Sequence, residues 1–122
     1  MSSKFGDFFR ERRIGLGLTL RRFCSDAGLD PGNVSKMERG LLPPPGREIL
    51  EEYASHLRLL PGSDAYLEFF DLAAADSGRL PGDLLDDAEL VDKLPVLFRT
   101  FRGQRVSPEK MDELIEFIRR GG

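Results

Sequence analysis

Leu16-Gly-Leu-Thr-Leu-Arg-Arg-Phe-Cys-Ser-Asp-Ala-Gly-Leu-Asp-Pro-Gly-Asn-Val-Ser-Lys-Met-Glu-Arg-Gly40 decides the fold of this 122-residue chain. It reads as two helices of about two turns each, joined by a tight turn. Thr19 offers a hydroxyl to an orphaned backbone N–H and opens the first, which carries Leu20, Phe23 and Cys24. Gly28 stops it, because glycine enters the left-handed region at no steric cost. Asp30 caps the second helix, with Pro31 at the first helical position, where a missing N–H costs nothing. That helix ends at Gly40. Helices this short do not stand alone in water, so both must pack on flanking helices. Small Cys24 and Gly28 fall where helices approach, and Val34 is the apolar residue that packs the second one.

The flanks supply those helices. Phe5, Phe8, Phe9 and Leu16 space out a first amphipathic helix that ends at Gly15-Leu16-Gly17. Pro43-Pro44-Pro45 makes a stiff extended connector. A fourth helix follows with Ile49, Leu50, Tyr53, Ala54 and Leu57 on one face, ended by Leu60-Pro61-Gly62. Ser63 or Asp64 caps a fifth bearing Tyr66, Leu67, Phe70 and Ala73. Residues 77–82 are turn-rich. Asp86 to Lys93 and Pro95 to Arg102 suggest two short helices, and Ser107-Pro108-Glu109 opens a last one with Met111, Leu114, Ile115 and Ile118 at i, i+3, i+4, i+7. The expected fold is all-α: a five-helix domain over 4–76 and a short helical extension over 77–122.

The net charge of -3 hides an uneven distribution. Residues 1–47 hold nine basic and five acidic side chains, a local +4, whereas residues 59–92 hold Arg79 against nine acids, a local -8. Residues 93–105 return to +4. Affinity for a polyanion depends on the patch presented to phosphate, so a basic head on an acidic body is compatible with nucleic acid. The one cysteine cannot form an internal disulfide, and Met1-Ser2-Ser3-Lys4-Phe5 contains no apolar run of leader or membrane-span length. Both point to the cytoplasm and away from a membrane. Cys24 reads as a small core residue. His56 has no second histidine or nearby thiol, and the acids at Asp83, Asp86 and Asp87 lack the alternation of a calcium loop, so no metal or cofactor is expected. No nucleophile–base set suggests an enzyme.

The quoted stretch resembles the Xre/Cro-like, lambda-repressor-like helix-turn-helix family of transcriptional regulators. Ser35-Lys36-Met37-Glu38-Arg39-Gly40 is close to that family's Ser-x-Ile-Glu-x-Gly hallmark, and Gly17-Leu18-Thr19 matches the opening of its second helix. The resemblance covers roughly residues 5–75. It implies that residues 31–39 form a recognition helix lying in the major groove of double-stranded DNA. Pro31, Gly32 and Lys36 fall where family members read bases. Of these only Lys36 has a donor for guanine, so Asn33 joins Gly32 and Lys36 as the expected base-reading set. Thr19, Arg21, Arg22, Ser35, Arg39 and Arg47 are the expected phosphate contacts. Arg13 and Glu38 match a family ion pair that joins the first helix to the end of the recognition helix.

In the extension, Leu94, Leu97, Phe98 and Phe101, with Val96, form an apolar cluster studded with Arg99, Arg102 and Arg105. This cluster completes the core, forms a dimer or partner surface, or adds its basic side to the DNA surface. Three functions follow. The leading one is a sequence-specific repressor, homodimeric and acting on its own operon. The second is an antitoxin binding a toxin through its extension. The third is a protein-interaction module of the same fold without DNA binding.

Overall fold

The computed structural model describes residues 3–121. Met1 and Ser2, part of the segment read above for a leader, lie outside the described residues. Among the described residues there are eight helices and no strand: α1 (Lys4–Gly15), α2 (Leu20–Ala27), α3 (Pro31–Glu38), α4 (Arg47–His56), α5 (Asp64–Ser77), α6 (Gly82–Leu85), α7 (Ala88–Gln104) and α8 (Pro108–Arg119). None is long and apolar enough to cross a membrane. The chain divides into two compact units, one ending at Gly82 and one starting at Asp83. That boundary lies six residues beyond the 76/77 position suggested by composition. The turn-rich segment belongs to the first unit, where the Arg47 guanidinium lies so close to Gly82 that a methyl there would sit 2.7 Å from Nη1.

Side-chain caps open five of the six longer helices after α1 as well as α1 itself. Ser3 Oγ accepts from the Gly6 amide, Thr19 from Arg22, Asp30 from Asn33, Ser63 from Tyr66, Asp87 from Leu90 and Ser107 from Lys110. The choice between Ser63 and Asp64 thus resolves to Ser63. Gly28 and Gly78 close α2 and α5 in the left-handed region, at φ 69° and 67°. Gly46 opens α4 with no side-chain cap.

The five helices of the first unit close around Phe5, Phe9, Phe23, Leu50, Leu57 and Phe69, with Cys24, Val34, Met37, Ala54, Leu59 and Ala73 filling between them. Phe9 is central: its ring meets Phe23 edge-on at 5.3 Å and Tyr53 edge-on at 5.7 Å, and lies 6.4 Å from Phe69. Several positions depart from the periodicity reading. Phe69, fully buried, is the core residue of α5, while Leu67 is exposed and Tyr66 and Phe70 are half-buried. Ile49 is exposed on α4, and Leu59, past its end, is buried instead. The tight turn after α4 causes this inward swing: the Leu59 amide donates to the Ala54 carbonyl, with Arg58 at φ 56°.

The second unit corrects the expectation of two short helices over 86–102. α7 runs unbroken through Pro95 for 17 residues. A proline forbids only its own N–H bond and crowds one turn. Good helix formers on both sides (Glu89, Leu90, Lys93, Leu97) carry the helix through. α6, a single turn, was not anticipated at all.

At Gly6 the backbones of α1 and α3 approach closely. A methyl there would overlap the Glu38 carbonyl and sit 2.8 Å from that of Met37, so α1 lies directly against the backbone at the end of α3. Alanine normally stabilises a helix interior over glycine by about 1 kcal/mol. Gly6→Ala should invert that sign, because the obstacle is backbone and cannot rotate away. We expect a net loss of roughly 1–3 kcal/mol, read as a thermal midpoint lower by about 5 °C or more, whereas Gly15→Ala, which meets nothing, should not lower it.

Candidate nucleic-acid interface

The orientation of α3 is set by one buried ion pair. Arg13 Nε donates to Glu38 Oε2 at 2.8 Å and Nη2 to Oε1 at 3.0 Å, a two-point fork, while Nη1 donates to the Leu18 carbonyl at 2.8 Å. The residues are 7% and 6% exposed. The hydrogen bonding of its guanidinium to the Glu38 carboxylate is the largest influence on Arg13 and raises its pKa, against the opposing effect of burial. A buried charge is tolerated only when fully bonded, and among the described residues no buried side-chain polar atom lacks a partner.

Arg12, next in the chain, acts on a different helix. Its Nε donates to the Leu57 carbonyl and its Nη2 to the Arg58 carbonyl, both at 2.9 Å, so it caps the end of α4. Asp76 of α5 accepts from the Phe5 amide at 3.2 Å and closes the other end of α1. Sequence reading gave neither residue a role, because each bond spans a long stretch of chain.

With α3 so held, Val34, Met37 and Glu38 face inward and Pro31, Gly32, Asn33, Lys36 and Arg39 face outward. The proposed base-reading residues Gly32, Asn33 and Lys36 therefore share one exposed helix face at i, i+1 and i+4. Asn33 keeps its side chain for that face while its backbone N–H donates to Asp30 Oδ2 at 3.0 Å. Gly32 leaves room for that cap: a methyl there would stand 3.2 Å from the same carboxylate oxygen.

The proposed phosphate contacts are less uniform. Thr19 stands at the exposed opening of α2, its Oγ1 accepting from the Arg22 amide at 3.1 Å, and Arg21 is exposed. Arg22 is exposed but pairs with Asp26 at 3.1 Å, and Arg47 lies 3.6 Å from Glu51. Surface pairs of this kind are weak and exchange readily for another anion. Arg39 Nε donates to the Ser35 carbonyl at 3.4 Å. Ser35 and Arg39 line an open depression of about 620 Å³ together with Asp7, Arg10, Arg13, Leu20, Glu38 and Leu41. Exposed Arg10 thus adds a cation beside Arg39 that the sequence reading missed; its three-residue offset from Arg13 was the available signal. In the second unit Leu94 is buried, Phe101 half-buried, and Leu97 and Phe98 are exposed.

Cys24 is 1% exposed, and burial pushes its thiol pKa up; Tyr53 is raised by burial too. The His56 ring meets Phe23 edge-on at 6.2 Å. Among the described residues no group of three or more His, Cys, Asp or Glu side chains could hold a metal.

Two tests follow. Arg13→Ala or Glu38→Ala strands a buried charge and should cost about 3–5 kcal/mol in chemical denaturation, whereas an apolar pair of similar volume, Arg13→Met with Glu38→Leu, should recover much of it. For Cys24 and Tyr53 the folded state holds the proton more tightly than the unfolded state. Their contribution is therefore complete below the unfolded pKa values, about 8.5 and 10, and falls as pH rises through the folded ones. Stability should decline above about pH 8.5, and a thiol reagent at neutral pH should label Cys24 only after unfolding.

A helix-turn-helix domain family matches residues 4–65, which run from the start of α1 into the start of α5 and make up half of the chain. No curated protein and no solved structure matches the chain. The matched span contains the Arg13–Glu38 fork, the Thr19 and Asp30 caps and the whole exposed face of α3. The chain belongs to this helix-turn-helix domain family.

Proposed function

We propose that the protein is a sequence-specific DNA-binding transcriptional regulator of the Xre/Cro-like, lambda-repressor-like type, acting without catalysis as a homodimeric repressor of its own operon. The observation that carries this reading is α3: a short helix fixed from behind by a buried two-point ion pair, with Gly32, Asn33 and Lys36 exposed along its outer face. A helix inserted in the major groove must be held rigidly and must present donors on one side only. Lys36 supplies the donor for guanine acceptors and Asn33 an amide suited to adenine. Gly32 lets backbone approach the groove but reads nothing itself, so discrimination leans also on the spacing of half-sites and on DNA shape.

Thr19 and Arg21 at the opening of α2, with Arg10 and Arg39 around the adjoining depression, supply phosphate contacts on either side of that helix. Arg22 and Arg47 join them by releasing Asp26 and Glu51, and Ser35 contributes its hydroxyl. In the second unit, exposed Leu97 and Phe98 with half-buried Phe101 provide apolar surface for a second copy; Leu94, being buried, is left out of it. The same exposed residues, which follow the acidic 59–92 segment in the sequence, also suit the antitoxin reading, in which a basic toxin covers them.

The test is fluorescence anisotropy against the gene's own upstream DNA and a scrambled fragment at several salt concentrations. The native fragment should bind more tightly, and binding should weaken linearly in log salt. Lys36→Ala should abolish the preference, while Arg39→Ala should weaken both fragments alike and reduce the salt slope by about one. Absence of binding to either fragment at low salt would overturn the reading.

A further inference from the structure

We propose that α8 pairs antiparallel with α8 of a second copy of this chain about a two-fold axis. The proposal deepens the reading above, which expects a homodimer, but its physical argument and its test are independent of DNA. α8 has 12 residues, and none of them is buried. Every extensively packed helix pair among the described residues falls within α1–α5. A helix of this length owes its stability to burying an apolar face, so α8 as it stands lacks the packing it needs.

The face is present. Met111, Leu114, Ile115 and Ile118 form an i, i+3, i+4, i+7 stripe; Leu114 and Ile115 are exposed, and Ile118 is 64% exposed. The charges beside the stripe identify its occupant. Asp112 and Arg119 lie seven residues apart along one flank, and Lys110 and Phe117 seven apart along the other. In an antiparallel pair each flank meets the same flank of the second copy, run in reverse. Asp112 of one copy then faces Arg119 of the other, and the two-fold axis repeats the contact. Lys110 comes over the Phe117 ring of the other copy in the same way, a cation–π arrangement. Parallel pairing would instead set the Asp112–Arg119 flank against the Lys110–Phe117 flank of the other copy and align the two macrodipoles side by side, at a cost. A generic basic or acidic partner would call for flanks of a single sign, and the Asp112–Arg119 flank carries one of each. Arg119 does bond its own Glu116 at 3.3 Å, but through Nη1, and a guanidinium has five N–H donors. Opposed macrodipoles favour the same arrangement.

Charge exchange on the full-length chain tests this, with mass measured by sedimentation equilibrium or light scattering over a concentration series. The wild type should be a dimer. Arg119→Asp brings carboxylates together at both ends of the contact, and Asp112→Arg brings guanidinium groups together. Each should raise the dimer dissociation constant by about tenfold, which corresponds to roughly 1.4 kcal/mol over the two symmetric pairs. The double exchange Asp112→Arg with Arg119→Asp should restore the wild-type constant, a rescue that damage to the fold would not produce. Circular dichroism on each variant checks that helix content is retained. A monomeric wild type at tens of micromolar overturns the proposal, as does a dimer indifferent to either single exchange or a double exchange no tighter than the singles. Failure to bind DNA would count against the regulator reading alone.

Discussion

The geometry of the first unit depends on a guanidinium that is almost wholly withdrawn from water. Arg13 uses one N–H on the carbonyl of Leu18 and two on the carboxylate of Glu38, so a single side chain links the body of α1, the turn leading into α2 and the last turn of α3. The planar fork of arginine sets direction as well as distance, which a lysine ammonium at the same place would not do. Because the pair is buried, a partial arrangement is not a cheap alternative: an oxygen left unbonded costs its whole desolvation. The angle at which α3 leaves the body of the domain is therefore a discrete state.

Two further features support that state. Gly6 brings α1 into backbone contact with Met37 and Glu38, close to where the ion pair acts. The aromatic cluster around Phe9 then fills the space between α1, α2, α4 and α5 with rings at 5.3 to 6.4 Å. The division of labour within α1 is clear from its consecutive arginines. Arg13 holds α3 and Arg12 holds the carbonyl end of α4, so two successive helices are anchored by adjacent residues of α1.

Much of the first unit was legible from local chemistry. Thr19, Asp30 and Ser63 announce helix starts, Gly28 announces an end, and each acts within three or four residues of itself. The features that escaped are those with no local signature. Tyr66, Leu67, Phe69 and Phe70 make α5 apolar around most of its girth, so periodicity alone cannot say that Phe69 rather than Phe70 points inward. Gly6 looks like a weak spot in an amphipathic helix until the carbonyls opposite are known. Arg12 and Asp76 bond to backbone 45 and 71 residues away. Pro95 misled in the opposite direction, since a local rule predicted a break that the flanking turns override.

The internal use of Arg12 and Arg13 also bears on how the protein senses ionic strength. Nine basic side chains lie within residues 1–47, but these two are turned to carbonyls and a carboxylate of the protein itself. At most seven remain to displace condensed cations from a nucleic acid, and two of those, Arg22 and Arg47, first have to leave Asp26 and Glu51. Each neutralised phosphate contributes about 0.9 to the logarithmic salt slope, which caps the contribution of this segment near six per chain. The basic head that stands out in the sequence is thus a smaller ion exchanger than its formal charge implies. The rest of its hold on a nucleic acid rests on shape and fit, which added salt leaves largely intact.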